Sequence, residues 1–96
     1  MKPLAQAFKL ACDRIESGQS RFICVALTAL ASRYLITFAT CEAAQQIIRQ
    51  RLGQQHETLE DWIRQYHAST YELLNNPAKV RQTRLAWLTS LIKEHK

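Results

Sequence analysis

The side chains whose chemistry goes beyond simple charge are few: the thiols Cys12, Cys24 and Cys41, the imidazoles His56, His67 and His95, and eight carboxylates. A catalytic or metal-binding thiol needs a partner at fixed spacing, such as a second cysteine two residues away or a histidine within reach. None of the cysteines stands in a Cys-x-x-Cys pair, and three thiols cannot all pair with one another. They read as reduced thiols serving as small core hydrophobes in a cytoplasmic protein. His56 and His67 are eleven residues apart, which is not a zinc-ligand spacing. The carboxylates Asp13, Glu16, Glu42, Glu57, Glu60, Asp61, Glu72 and Glu94 fall nearly all on polar faces or at helix starts, where they complement helix dipoles. Phosphate-cradling glycine loops and nucleophile elbows are absent from the sequence. The chain is therefore expected not to be an enzyme and to use no metal and no cofactor.

Charge says more. Thirteen Lys and Arg against eight Asp and Glu give a net +5. From residue 75 onward Lys79, Arg81, Arg84, Lys93 and Lys96 stand against Glu94 alone, so this segment holds +4 of it. A basic segment with Trp87 nearby suits phosphates or an acidic protein groove. Cations at the start of a helix oppose its dipole, so local stability is not the reason for placing them there. Lys79, Arg81, Arg84 and Trp87 are the first partner-binding candidates. Trp62 and Tyr66 join them, as part of an aromatic and polar patch with His67 and Tyr71. If the partner were nucleic acid, Arg49 and Arg51 would act together with Lys79, Arg81 and Arg84. The turn at 52–55 resembles that of a helix-turn-helix, but the segment after it opens with Glu57, Glu60 and Asp61, which would repel phosphates.

These residues must be held by helices. Leu4, Phe8, Cys12 and Ile15 recur at helical spacing and predict a first helix over 3–16, with Pro3 in its first turn and Gly18 closing it. Ser20 can cap a second helix over about 20–33, apolar on nearly every side and so expected to be packed all round. Thr40 opens a third, with Ala44, Ile47, Ile48 and Leu52 on one stripe and Gly53 beyond it. Thr58 and Asp61 mark a fourth, carrying Leu59, Trp62, Ile63 and Tyr66, which can break near Ala68 and restart at Ser69. Asn76 and Pro77 start the last, over about 78–93, with Val80, Arg84, Trp87, Leu88 and Leu91 along one side. The fold class is all-α: one domain over residues 1–96, a compact bundle of about five short helices around the central apolar helix.

One stretch admits another reading. Between Phe22 and Cys41 the single charge is Arg33, and twenty mostly apolar residues are long enough to cross a bilayer. A charge near the middle of such a span costs roughly 2.5–3.5 kcal/mol. The stretch also divides into two apolar pieces, 22–31 and 34–39, and the second is rich in β-branched and aromatic residues. Arg33 is then the point where the central helix reaches solvent or turns. Residues 1–18 lack the apolar core of a signal peptide.

The runs IESGQSRFICVAL (15–27), TLEDWI (58–63) and RLAWLTSLI (84–92) resemble small uncharacterised accessory proteins of bacteriophages and prophages. In those, a glycine-containing turn precedes an Ile-Cys-x-Ala-Leu helix, and an Arg-Leu-x-Trp-Leu segment closes the chain. The resemblance implies a protein of the bacterial host cytoplasm that binds a host protein, in host takeover or in blocking host defence. It supplies no catalytic residues. The leading expectation is accordingly a non-enzymatic inhibitor or redirector of a host macromolecule. A basic nucleic-acid-associated regulator is the alternative, and a small membrane protein spanning at 22–41 the second. The last helix is the candidate face for a homodimer.

Overall fold

The computed structural model describes residues 2–53 and 77–96, apart from the side chains of Pro77, Lys79 and Val80. Four α-helices account for most of these: α1 (Pro3–Glu16), α2 (Ile23–Ser32), α3 (Phe38–Leu52) and α4 (Pro77–His95). No strand occurs among the described residues. The helix expected to begin at Thr58, with Trp62 and Tyr66 on it, lies outside them.

Local signals explain the boundaries. Proline stands at the start of α1, where its missing N–H costs nothing. The helix ends at Gly18, left-handed at φ 79°, with Gly18 N donating to Ile15 O at 3.1 Å and Gln19 N to Arg14 O at 2.9 Å. Gly53 closes α3 in the same way at φ 69°. Two starts differ from the spacing argument. The second helix begins at Ile23, not Ser20, because Phe22 is extended (φ −115°, ψ 151°). The Ser20 hydroxyl instead accepts from Arg14 Nε at 3.2 Å and ties the turn back to α1. The third begins at Phe38, capped by Thr37, whose Oγ1 accepts from Thr40 N at 3.0 Å. Thr40 is therefore inside the helix rather than its cap.

The packing corrects the expected centre. α1, not α2, meets all three of the other described helices, and its interface with α4 is the most extensive. Ala5, Ala7, Phe8, Ala11 and Ile15 are all buried. Ala5 and Ala7 project about 200° apart around the axis, so α1 is covered on more than one side. Alanine lets neighbouring backbones come close, which is how a short helix accommodates three partners. Phe8 fills the middle at 0% exposure, with Leu27, Leu30, Ile48, Leu88 and Leu91 around it.

α2 is buried on one face only. Ile23, Ala26, Leu27, Leu30 and Ala31 turn inward, while Val25, Thr28 and Ser32 are exposed. A mostly apolar helix is thus left with an outer face, carrying Val25, Thr28 and Ser32, that no described element covers. At ten residues α2 is about 15 Å long, half the thickness of a bilayer core. The run from Phe22 to Cys41 is broken after Ser32, and among the described residues no helix is long and apolar enough to cross a membrane.

Two further contacts fix α4. The Arg84 guanidinium lies over the Phe22 ring at 5.3 Å, joining α4 to the link between α1 and α2. At the C-terminal end of α4 His95 packs against Phe8 with ring centroids 5.8 Å apart. An α1-centred core makes a testable contrast. Ala11→Leu adds volume where none is free and should lower stability by about 1–3 kcal/mol in urea unfolding. Val25→Leu on the outer side of α2 should change it by less than about 0.5 kcal/mol; the opposite order would restore α2 as the centre.

Candidate functional site

The α2–α3 hairpin concentrates the apolar surface. Val25, Tyr34, Leu35 and Phe38 are the exposed large hydrophobic residues among those described, at 56%, 87%, 57% and 70% exposure. All four fall between positions 25 and 38. Single exposed apolar residues are ordinary, but three of these four, Tyr34, Leu35 and Phe38, fall within five positions at the turn between α2 and α3.

The backbone at this corner is unusual. Arg33 ends α2, and Tyr34 follows in the left-handed region at φ 61°. Tyr34 N donates to Ala31 O and Leu35 N to Leu30 O, each at 3.0 Å. That is the hydrogen-bond pattern glycine forms at the end of α1, and a side chain here costs about 1–2 kcal/mol. Tyr34 gains almost no burial in return. Its ring stands in water beside Leu35, and Phe38 follows in the first turn of α3.

Along the hairpin, α2 and α3 enclose an open groove of about 430 Å³ lined by Cys24, Val25, Thr28, Ala29, Gln45 and Arg49. Gln45 crosses it: Nε2 donates to Cys24 O at 2.9 Å and to Thr28 Oγ1 at 2.8 Å. Thr28 Oγ1 in turn donates to Cys24 O at 3.1 Å. The polar groups of the floor are thereby satisfied by one another, and the rims remain apolar with a cation at one end.

The residues singled out from the sequence meet different environments. Arg84 is buried at 6% exposure over Phe22, so it is a packing residue and not a surface cation. Leu88 and Leu91 are buried against the core, and Trp87 is half-buried beside them. The apolar side of α4, expected as a homodimer face, is therefore turned inward. Arg81 is exposed on α4. Arg51 is held by Glu94, whose carboxyl lies below the usual carboxylate range because of that hydrogen bond. Arg49 is exposed and lines the hairpin groove, well away in sequence from the α4 cations. For Lys79 only the backbone is described, and Trp62 and Tyr66 lie outside the described residues. The structure leaves Arg49, Arg51 and Arg81 exposed and buries Arg84. It exposes four residues, Val25, Tyr34, Leu35 and Phe38, that hydrophobicity had assigned to the interior or to the stretch beyond it.

No cluster of three or more His, Cys, Asp or Glu side chains able to hold a metal occurs among the described residues. A second cleft of about 380 Å³ lies between Lys2, Pro3, Leu4, Glu94 and His95, where the chain's beginning meets the end of α4. No protein-family model, curated protein or solved structure matches the chain.

The three thiols differ sharply in environment. Burial, with Asp13 and Glu16 adding to it against an opposing Lys9, pushes the Cys12 thiol up to about 11. Cys41 is buried and also raised, chiefly by desolvation. Cys24 lines the open groove. A raised thiol pKa means less thiolate, hence less alkylation, at every pH below it. Iodoacetamide at about pH 8, read by peptide mass mapping, should modify Cys12 slowly, and its labelling should accelerate as the pH approaches its own pKa. Faster labelling of Cys12 at the lower pH would contradict the assigned environments.

Proposed function

We propose that the chain is a non-catalytic interaction protein that docks on a bacterial host protein through the outer face of its α2–α3 hairpin and so inhibits or redirects it. One observation carries the reading. The exposed large hydrophobic residues of the described chain all lie on this hairpin, and one of them, Tyr34, occupies a backbone conformation that favours glycine. Stability alone would put glycine at 34, as it does at 18 and 53, and would put polar residues at 35 and 38. A binding surface accounts for both departures at once. Aromatic side chains, tyrosine among them, are the usual anchors of such surfaces.

The phage-type resemblance of 15–27, 58–63 and 84–92 supports a bacterial host protein as the target and the host cytoplasm as the place of action. The nucleic-acid reading is weakened by the burial of Arg84 and the pairing of Arg51 with Glu94, which leave Arg49 and Arg81 on separate elements.

Affinity capture tests the proposal. The tagged full chain should retain a protein from bacterial lysate, and Leu35→Ser with Phe38→Ser should abolish that retention while the thermal midpoint moves by no more than a few degrees, about the shift expected for surface changes. Retention of the same protein by both forms would refute a hairpin docking face.

A further inference from the structure

We infer that the occupant of the hairpin face is an acidic amphipathic helix of a partner protein, carrying two carboxylates about two turns apart on either side of an apolar stripe. The inference rests on the reading of this face as a docking surface and adds the chemistry of what docks. Three features of the face dictate it.

Shape comes first. The groove is open and lined from both sides, by Cys24, Val25, Thr28 and Ala29 of α2 and by Gln45 and Arg49 of α3. A ridge of side chains fits such a trough, as one helix packs into the groove between two others. A flat bilayer surface would touch the corner and leave the groove empty.

Charge comes second. Arg49 lines the groove beside Val25, and Arg33 stands exposed at the other end of α2. From residue 25 to residue 33 the helix rises about 12 Å, a little over two turns. Carboxylates at positions i and i+7 of a helix lying alongside would reach both cations, with apolar residues at i+3 and i+4 over Val25 and Ala29. The exposed carboxylate on this side is Glu42, one turn beyond Phe38 on α3 and between the two arginines along the hairpin. It disfavours a third acid in the middle of the occupant. The field of the whole chain, at +5, steers the same kind of partner.

Symmetry comes third. A second copy of this chain, docked through the same face about a two-fold axis, would bring Arg33 and Arg49 of each copy together with a single Glu42 from each, a net repulsion. The face complements an acidic helix and opposes itself.

The experiment is an amide NMR titration of the full chain with two synthetic helical peptides of about four turns. They share an apolar stripe and differ only in carrying Glu or Lys at the i and i+7 positions. The Glu peptide should shift amides in 24–29, 33–38 and 45–49 and bind at least tenfold more tightly than the Lys peptide. Arg33→Glu with Arg49→Glu should erase that preference. Arg81→Glu with Lys93→Glu changes the net charge equally but on α4, and should keep it. Equal affinity for both peptides at these amides would overturn the charge rule while leaving the docking face intact. Loss of the preference in both double variants would reduce the effect to overall charge and also overturn it. Shifts confined to α4, or line broadening of the free chain that maps self-association to the hairpin, would reject the acidic-helix occupant. Failure of the broader reading shows separately, as capture indifferent to Leu35 and Phe38.

Discussion

Everything in the described structure hangs on the two-sided burial of α1. A fourteen-residue helix whose buried positions include Ala5, Ala7 and Ala11 can be approached closely from several directions, and α2, α3 and α4 all take the opportunity. Phe8 supplies the bulk that these alanines lack. Removing a fully buried phenylalanine typically costs about 3–5 kcal/mol, against a total stability of about 5–15 kcal/mol for a domain. A single side chain at this junction thus carries a large share of what holds the chain folded. The Phe8–His95 contact ties the end of α4 to this joint, and the Arg84–Phe22 stack ties the middle of α4 to the link between α1 and α2.

Placing α1 at the centre frees α2. Among the described helices its main neighbours are α1 and α3, so the side carrying Val25, Thr28 and Ser32 is left facing out, and the connection to α3 must be made within residues 33–37. The chain makes it with a left-handed tyrosine and an immediate threonine cap. The features that define the candidate interface, a groove, an exposed aromatic corner and two separated arginines, all follow from that arrangement. Core and interface are then carried by different residues. Leu27 and Leu30 of α2 serve the first, while Val25 of the same helix and Tyr34, Leu35 and Phe38 beyond it serve the second.

Much of the fold was legible in residue types. Gly18 and Gly53 close helices where their positions say they should, Pro77 opens α4, and the apolar run divides near Arg33, which ends α2 in solvent. The centre was not legible, because alanine carries a weak hydrophobic signal and the Phe22–Ala31 run a strong one. A strong signal says that a helix prefers burial, and only packing decides how many of its sides receive it. Arg84 illustrates the converse: a charged residue on an apolar stripe reads as a surface cation until an aromatic ring is found beneath it. The candidate interface was hidden for a similar reason. Tyr34, Leu35 and Phe38 have the composition of interior residues, and nothing in composition reveals a positive φ at a tyrosine. The signal that could have found it was comparative: two helices end in glycine, and the one between them does not.

Replacing Tyr34 by glycine tests this account most directly, because it separates what the residue does for the fold from what it does for binding. If the tyrosine is kept for a partner at the expense of the backbone, Tyr34→Gly should raise the unfolding free energy by about 1 kcal/mol and the thermal midpoint by roughly 4–8 °C, while retention of the partner falls. A drop in stability on the same substitution would contradict it, by showing that the exposed ring holds the fold together rather than offering itself to another protein.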